Sequence, residues 1–147
     1  MNKEAITYRE ERITAEEYIR FLKTTDLGSQ YPKERFTERI EKLVKNTTVS
    51  ITARNEQDEL VGVVFGLTDY CYWLYITDLG VSRSYERHGI GSTLMKKAHE
   101  SAGGERDIAV YLTANTVAVP FYEKLGMTFS TDVMQYCKID WTEFTVE

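Results

Sequence analysis

The chain has 147 residues, 42% of them hydrophobic and 28% charged, with a formal net charge of −5. That length suits one domain over 1–147 with a real core, and two prolines and nine glycines leave little room for long linkers. The acidic balance argues against nucleic acid, which selects a basic face; it favours cationic partners such as amines, and equally serves plain solubility.

Along the chain, Ile6–Arg12 alternates weakly and predicts a first strand. Thr14 reads as an N-cap with Glu17 completing a capping box. The helix behind it carries the apolar stripe Tyr18, Phe21 and Leu22. Residues 26–32 are turn chemistry. A second helix is expected over 33–45, with Phe36, Ile40, Leu43 and Val44 inward. Residues 47–53 alternate with period two and predict a strand. A polar turn, Asn55–Glu59, leads to Leu60–Leu67, which is apolar on both faces. That pattern predicts a central strand, antiparallel to its predecessor. The stretch Asp69–Trp73 is rich in aromatics; it fits a substrate wall, a packed hairpin tip or a dimer face.

Tyr72–Val81 is the next strand, and a polar loop, Ser82–His88, runs from it into Gly89, Ile90 and Gly91. An amphipathic helix starts there, with Ile90, Leu94, Met95 and Ala98 on one face and Lys96, Lys97 and Glu100 on the other. The first N–H groups of a helix lack internal partners and carry partial positive charge. Glycine lets an anion come close, and successive amides form an anion-binding nest. Residues 87–92 are therefore expected to hold a phosphate or pyrophosphate, aided by the charge of Arg87, with His88 touching phosphate or simply solvated. A Rossmann fingerprint would need a glycine where Leu94 stands, and a Walker A loop a lysine after Gly91, where Ser92 and Thr93 follow.

Gly103–Gly104 ends this helix, and Ile108–Thr113 predicts a short buried strand, parallel to the one before it in a βαβ unit. A last helix is expected over 117–125, with Val117, Phe121 and Leu125 on one face, Pro120 in the first turn and Gly126 as its C′ residue. Met127–Ile139 predicts one or two closing strands. No apolar run approaches the roughly 20 residues of a membrane span. Residues 1–11 lack the apolar centre of a signal peptide, so a cytoplasmic protein is expected. Cys71, Cys137, His88 and His99 offer no metal-ligand spacing.

Two stretches carry a resemblance. Tyr85, Gly89, Ile90, Gly91 and Leu94 resemble motif A of the GNAT family of acetyl-CoA-dependent N-acetyltransferases. Asn115, Ala118, Phe121, Tyr122, Glu123, Lys124, Leu125 and Gly126 resemble its motif B. Glu86 departs from the pattern, standing where the family has Gln or Arg, with Arg87 one residue late.

The resemblance implies an α/β GNAT fold: a mixed twisted sheet flanked by helices, with a splayed central strand pair. It implies acetyl-CoA as co-substrate, no metal, and a primary amine as acceptor, on a small molecule or a protein. By the same likeness, the pantetheine arm pairs with backbone near Leu79 and Val81. The diphosphate sits on Arg87, His88, Gly89, Ile90, Gly91 and Ser92. Asn115 contacts the cofactor or caps a helix. Tyr122 lies near the sulfur and protonates the leaving thiolate, or only packs. For the base, relatives carry a glutamate on the motif A strand; here the carboxylate in that strand is Asp78. Alternation turns Asp78 away from Thr77 and Leu79 unless a bulge re-aims it, and a water chain is the other reading. A rival reading keeps the fold and drops turnover: an acyl-CoA-binding sensor or regulatory module.

Overall fold

A computed structural model describes residues 4–27, 31–141 and 146–147. Its centre is a five-stranded sheet in which spatial order follows chain order. The strands are β1 (Thr7–Glu10), β2 (Val49–Arg54), β3 (Leu60–Thr68), β4 (Trp73–Val81) and β5 (Ala109–Leu112). Neighbours are antiparallel up to β4, because hairpin-length links join β2, β3 and β4. β4 and β5 are parallel, because a helix connects them. β3 lies in the middle and is buried along nearly its whole length, as its two-faced apolar run predicts.

Helices α1 (Ala15–Leu22) and α2 (Phe36–Asn46) cover one face of the sheet. Thr14 caps α1 as expected: its Oγ1 accepts from the Glu17 amide at 3.1 Å. The Glu17 carboxylate, however, is drawn to Arg54 rather than back to the cap. Tyr18, Phe21 and Leu22 pack with Val63 and Phe65 of β3, and Ile40 and Val44 of α2 complete that core. Helix α3 (Ile90–Ala102) covers the other face, its Ile90, Leu94, Met95 and Ala98 packed on Ile51, Val64, Leu74 and Ile76. Among the described residues, no helix is long and apolar enough to cross a membrane.

The structure corrects four expectations. Helix α2 starts at Phe36 rather than near 33, behind Arg35 in a left-handed conformation (φ 53°). β5 is an edge strand among the described residues and only partly buried. The last helix, α4 (Val119–Lys124), is too short to include Val117, which is 90% exposed; Leu125 also faces solvent. Finally, Met127–Ile139 forms no strand, and every residue from Thr128 to Trp141 is exposed. A strand needs a ladder partner for its amides and carbonyls, and this segment has none among the described residues.

Candidate active site

Pairing between β4 and β5 runs from Trp73 opposite Ala109 to Ile76 opposite Leu112, and stops there. β4 continues to Val81, held by β3 on one side only. The two parallel strands thus part company at Thr77. Leu79 and Val81 lie in the open stretch, partly buried against the α3 side of the core.

The chain leaves β4 through a tight turn, Arg83–Tyr85, and enters α3 through Gly89, its N-cap, with φ 78°. Arg87 is also left-handed, at φ 65°. The turn consumes the amides of Tyr85 and Glu86, which donate to Ser82 and Arg83 carbonyls. The helix ladder begins with the Thr93 amide, which donates to the Gly89 carbonyl at 3.1 Å. Between them, the amides of Arg87, His88, Gly89, Ile90, Gly91 and Ser92 donate to no protein acceptor among the described residues, and no side chain caps the helix. The Ser92 and Thr93 hydroxyls both donate to the Gly89 carbonyl, turning that oxygen inward. A side chain on Gly89 would meet nothing within 4 Å, so the space above it is open.

Two residues of this loop do less than expected or something different. The His88 ring turns back, its Nδ1 3.0 Å from the Tyr85 carbonyl, and lies tilted at 57° to the Tyr85 ring, 6.4 Å away. Gly91 is small for the sake of α4: a Cβ there would lie 3.2 Å from Phe121 Cζ. That contact brings α4 against the mouth of α3. It also sets Tyr122 beside the same core, its ring edge-on to Phe121 at 5.0 Å. The Tyr122 hydroxyl makes no hydrogen bond among the described residues, and burial holds its pKa above the ordinary tyrosine value. Asn115 caps the entry to α4, its Oδ1 accepting from the Ala118 amide at 2.8 Å, which leaves its amide NH2 as a donor.

Asp78 lies on the other face. The β3–β4 register slips between Phe65 and Gly66, which pair with Asp78 and Ile76. Thr77 is therefore a bulged residue. Without the bulge Asp78 would share the apolar α3 face with Ile76. With it, Asp78 turns toward α1 and α2, while Leu79 keeps the α3 face. There the carboxylate is 4% exposed. Oδ1 accepts from the Tyr31 hydroxyl, and Oδ2 from the Thr77 hydroxyl at 2.7 Å. The Tyr31 and Tyr18 hydroxyls are 2.7 Å apart. Burial, then the neighbouring Tyr18 and Asp78, push the Tyr31 pKa well above its ordinary value; burial and Asp78 do the same to Tyr18. Both stay neutral donors at any physiological pH. Tyr18 was legible as core, but Tyr31 carried no sign of a site role, because nothing in a turn 47 residues before Asp78 announces that contact.

Among the described residues, no group of three or more His, Cys, Asp or Glu side chains could hold a metal ion. Cys71 and Cys137 are both exposed and free.

The family model described as the acetyltransferase (GNAT) family matches residues 13–127. A GNAT family acetyltransferase of Streptococcus pneumoniae is 24% identical, with a TM-score of 0.71 over 92% of this chain and 98% of that one. An aminoglycoside N-acetyltransferase in complex with CoA is 16% identical, with a TM-score of 0.67 over 93% and 97% of the two chains. A transcriptional regulator of Bacillus halodurans is 25% identical, with a TM-score of 0.66 over 90% and 99%.

Proposed function

The chain belongs to the acetyltransferase (GNAT) family, and from that premise we propose that it acts in the cytoplasm, moving an acetyl group from acetyl-CoA to a primary amine by direct attack. The observation that carries this reading is the run of six amides, Arg87 to Ser92, that donate to no acceptor among the described residues at the mouth of α3. A diphosphate satisfies such a run: it accepts from several N–H groups at once, beside the positive end of a helix. The open space above Gly89 leaves room for it, and the exposed Arg87 adds a charge. The unpaired stretch Thr77–Val81 continues from this cradle, offering Leu79 and Val81 backbone to an amide-bearing arm. The Asn115 amide NH2 is a further donor at that end. When bound, the thioester supplies an activated acetyl carbon.

The protein's own residues then have two proton tasks. An alkylamine of pKa about 10.4 must shed a proton, which costs roughly 4–5 kcal/mol at pH 7. The Tyr31 hydroxyl accepts it as it passes its own to Asp78, so the proton ends on a carboxylate placed on the α1/α2 side of the gap. The leaving sulfur needs a proton as the C–N bond forms and the C–S bond breaks. Tyr122 holds one at Oη on the opposite, α3 side, in a donor form that burial preserves. The acid and the base thus flank the gap between β4 and β5 from opposite faces of the sheet.

The test is release of free thiol from acetyl-CoA across a panel of polyamines, arylalkylamines, amino acids, aminoglycosides and lysine peptides. Release with at least one amine, abolished in Asp78→Asn, supports the reading. A second reading is a regulatory acyl-CoA-binding module. It draws on Glu86, an exposed acid at the cradle's edge, and on the Bacillus halodurans neighbour's name. Tight cofactor binding without thiol release for any amine would select it.

A further inference from the structure

A run of amides grips an anion well only if the loop that carries it is already fixed, because a loose loop loses binding energy to its own ordering. Two side chains hold the start of this loop. Arg83 donates to the Asp26 carboxylate at 2.8 Å and to the carbonyls of Lys23 and Thr25, behind α1. Tyr85 is tied through its amide, its carbonyl and its hydroxyl. The amide donates to the Ser82 carbonyl at 2.8 Å, and the carbonyl lies 3.0 Å from His88 Nδ1. The hydroxyl leaves the loop. It meets Asn55, in the turn between β2 and β3, and Glu4, 81 residues earlier in the chain.

Each bond in that cluster has a determined direction. Asn55 is 8% exposed. Its Oδ1 accepts from the amides of Gln57 at 3.0 Å and Glu59 at 2.9 Å, as a turn-forming Asn does. Its Nδ2 is thereby aimed away from the turn and donates to the Tyr85 hydroxyl at 3.1 Å. The hydroxyl gives its own proton to Glu4 Oε2 at 2.8 Å, because a carboxylate can only accept. Glu4 Oε1 accepts from the Glu56 amide at 3.1 Å, which binds the carboxylate to the same turn.

We propose that Tyr85, clamped by Asn55 and Glu4, is a positioning residue for the cofactor, an inference that rests on reading 87–92 as the diphosphate site. The clamp lies just before Arg87 and Gly89, which stand at φ 65° and 78°. A left-handed arginine is strained and persists only where its surroundings impose it. Tyr85 supplies that constraint from one side, and the Ser92 and Thr93 hydroxyls on the Gly89 carbonyl supply it from the other. The amides between these anchors are aimed before an anion arrives. Tyr85 acts through the backbone, with its hydroxyl turned to the β2–β3 turn and not to the cradle.

Calorimetric titration of CoA into the full chain tests this. Tyr85→Phe removes only the hydroxyl. Asn55 Nδ2 keeps the Glu59 carboxylate at 3.4 Å, so no buried donor is stranded, and the melting temperature is expected to stay within a few degrees. The Kd for CoA is expected to rise about tenfold. Glu4→Ala, at an exposed position, is expected to raise it by a similar factor. The double variant is expected to lose less than the two single losses combined, because both break one chain of bonds. The KM for acetyl-CoA should rise with the Kd while the KM for the amine stays, a split that general loosening of the fold does not give. Wild-type affinity in Tyr85→Phe overturns the proposal. Losses that simply add overturn it too, as does an amine KM that rises in step with that of acetyl-CoA. If the wild-type chain binds no CoA, the diphosphate site itself is wrong and this inference falls with it; if it binds and the variants bind equally well, this inference alone falls.

Discussion

The Tyr31 hydroxyl donates to Oδ1 of Asp78, joining the turn before α2 to the residue after the β4 bulge. Thr77 occupies the other carboxylate oxygen. Both oxygens of this buried carboxylate have hydroxyl donors, and the Tyr31 hydroxyl gives a proton a path to it. Asp78→Asn is expected to lower kcat by about 100-fold or more while leaving cofactor affinity unchanged. Tyr31→Phe is expected to cost about 1–3 kcal/mol of stability, because Asp78 loses a donor. It should also cut kcat by roughly tenfold. Full turnover in Asp78→Asn, measured at saturating amine, would leave the pair a structural role only.

Tyr122→Phe is expected to lower kcat by about 100-fold with little change in cofactor Kd. Isothermal titration and steady-state rates separate the two quantities. Because burial raises the Tyr122 pKa above 10, its donor form persists beyond that pH. The rate should therefore climb with pH as the amine deprotonates, without an alkaline fall below pH 10. A fall between pH 7 and 9 would belong to another group.

Gly89→Val is expected to abolish measurable cofactor binding. The position has φ 78° and open space around it, so the cost is conformational, about 1–2 kcal/mol for a left-handed side chain. Relief of that strain re-aims the amides of the nest. Gly91→Leu should weaken binding by a different route, displacing Phe121 and with it Tyr122. Retained affinity in Gly89→Val, with the fold intact, would contradict the amide cradle.

Acid stability has a separate source. Arg54, buried at the end of β2, binds Glu11 at 2.9 Å and Glu17 at 2.9 Å. Burial alone would raise the Glu11 pKa; hydrogen bonds from Arg54 and Thr52 and the Arg54 charge outweigh it and hold it below 4.5. A depressed carboxylate stabilises the fold above its unfolded value and loses that contribution as pH falls through its folded value. Glu11→Gln should therefore flatten the loss of melting temperature below about pH 4.5. Arg54→Ala should cost about 3 kcal/mol at neutral pH by leaving two carboxylates together.

Much of the fold was legible because its signals are local. The Thr14 cap, the two-faced apolar run of β3, the α3 stripe from Ile90 to Ala98 and the βαβ order each depend on residues close in the chain. The run of unpaired amides from Arg87 to Ser92 was legible for the same reason, since these are consecutive amides next to a helix start. Ends were less so. The last helix shrank to Val119–Lys124 and shed Val117, because a helix of so few turns is bounded by what packs on it, and here that is Phe121 on Gly91.

What the sequence determined by itself is most of the elements, closing strands excepted, and the glycine loop with its run of unpaired amides at the start of α3, through periodicity, caps and glycine. What only the tertiary structure decided is which way Asp78 points and what stands against it. One bulged residue, Thr77, changes the face of the strand, and Tyr31 arrives there from a distant turn. Nor could strand-like residues in 128–141 form a strand by themselves, because a ladder needs a second edge, and none of the described residues pairs with them.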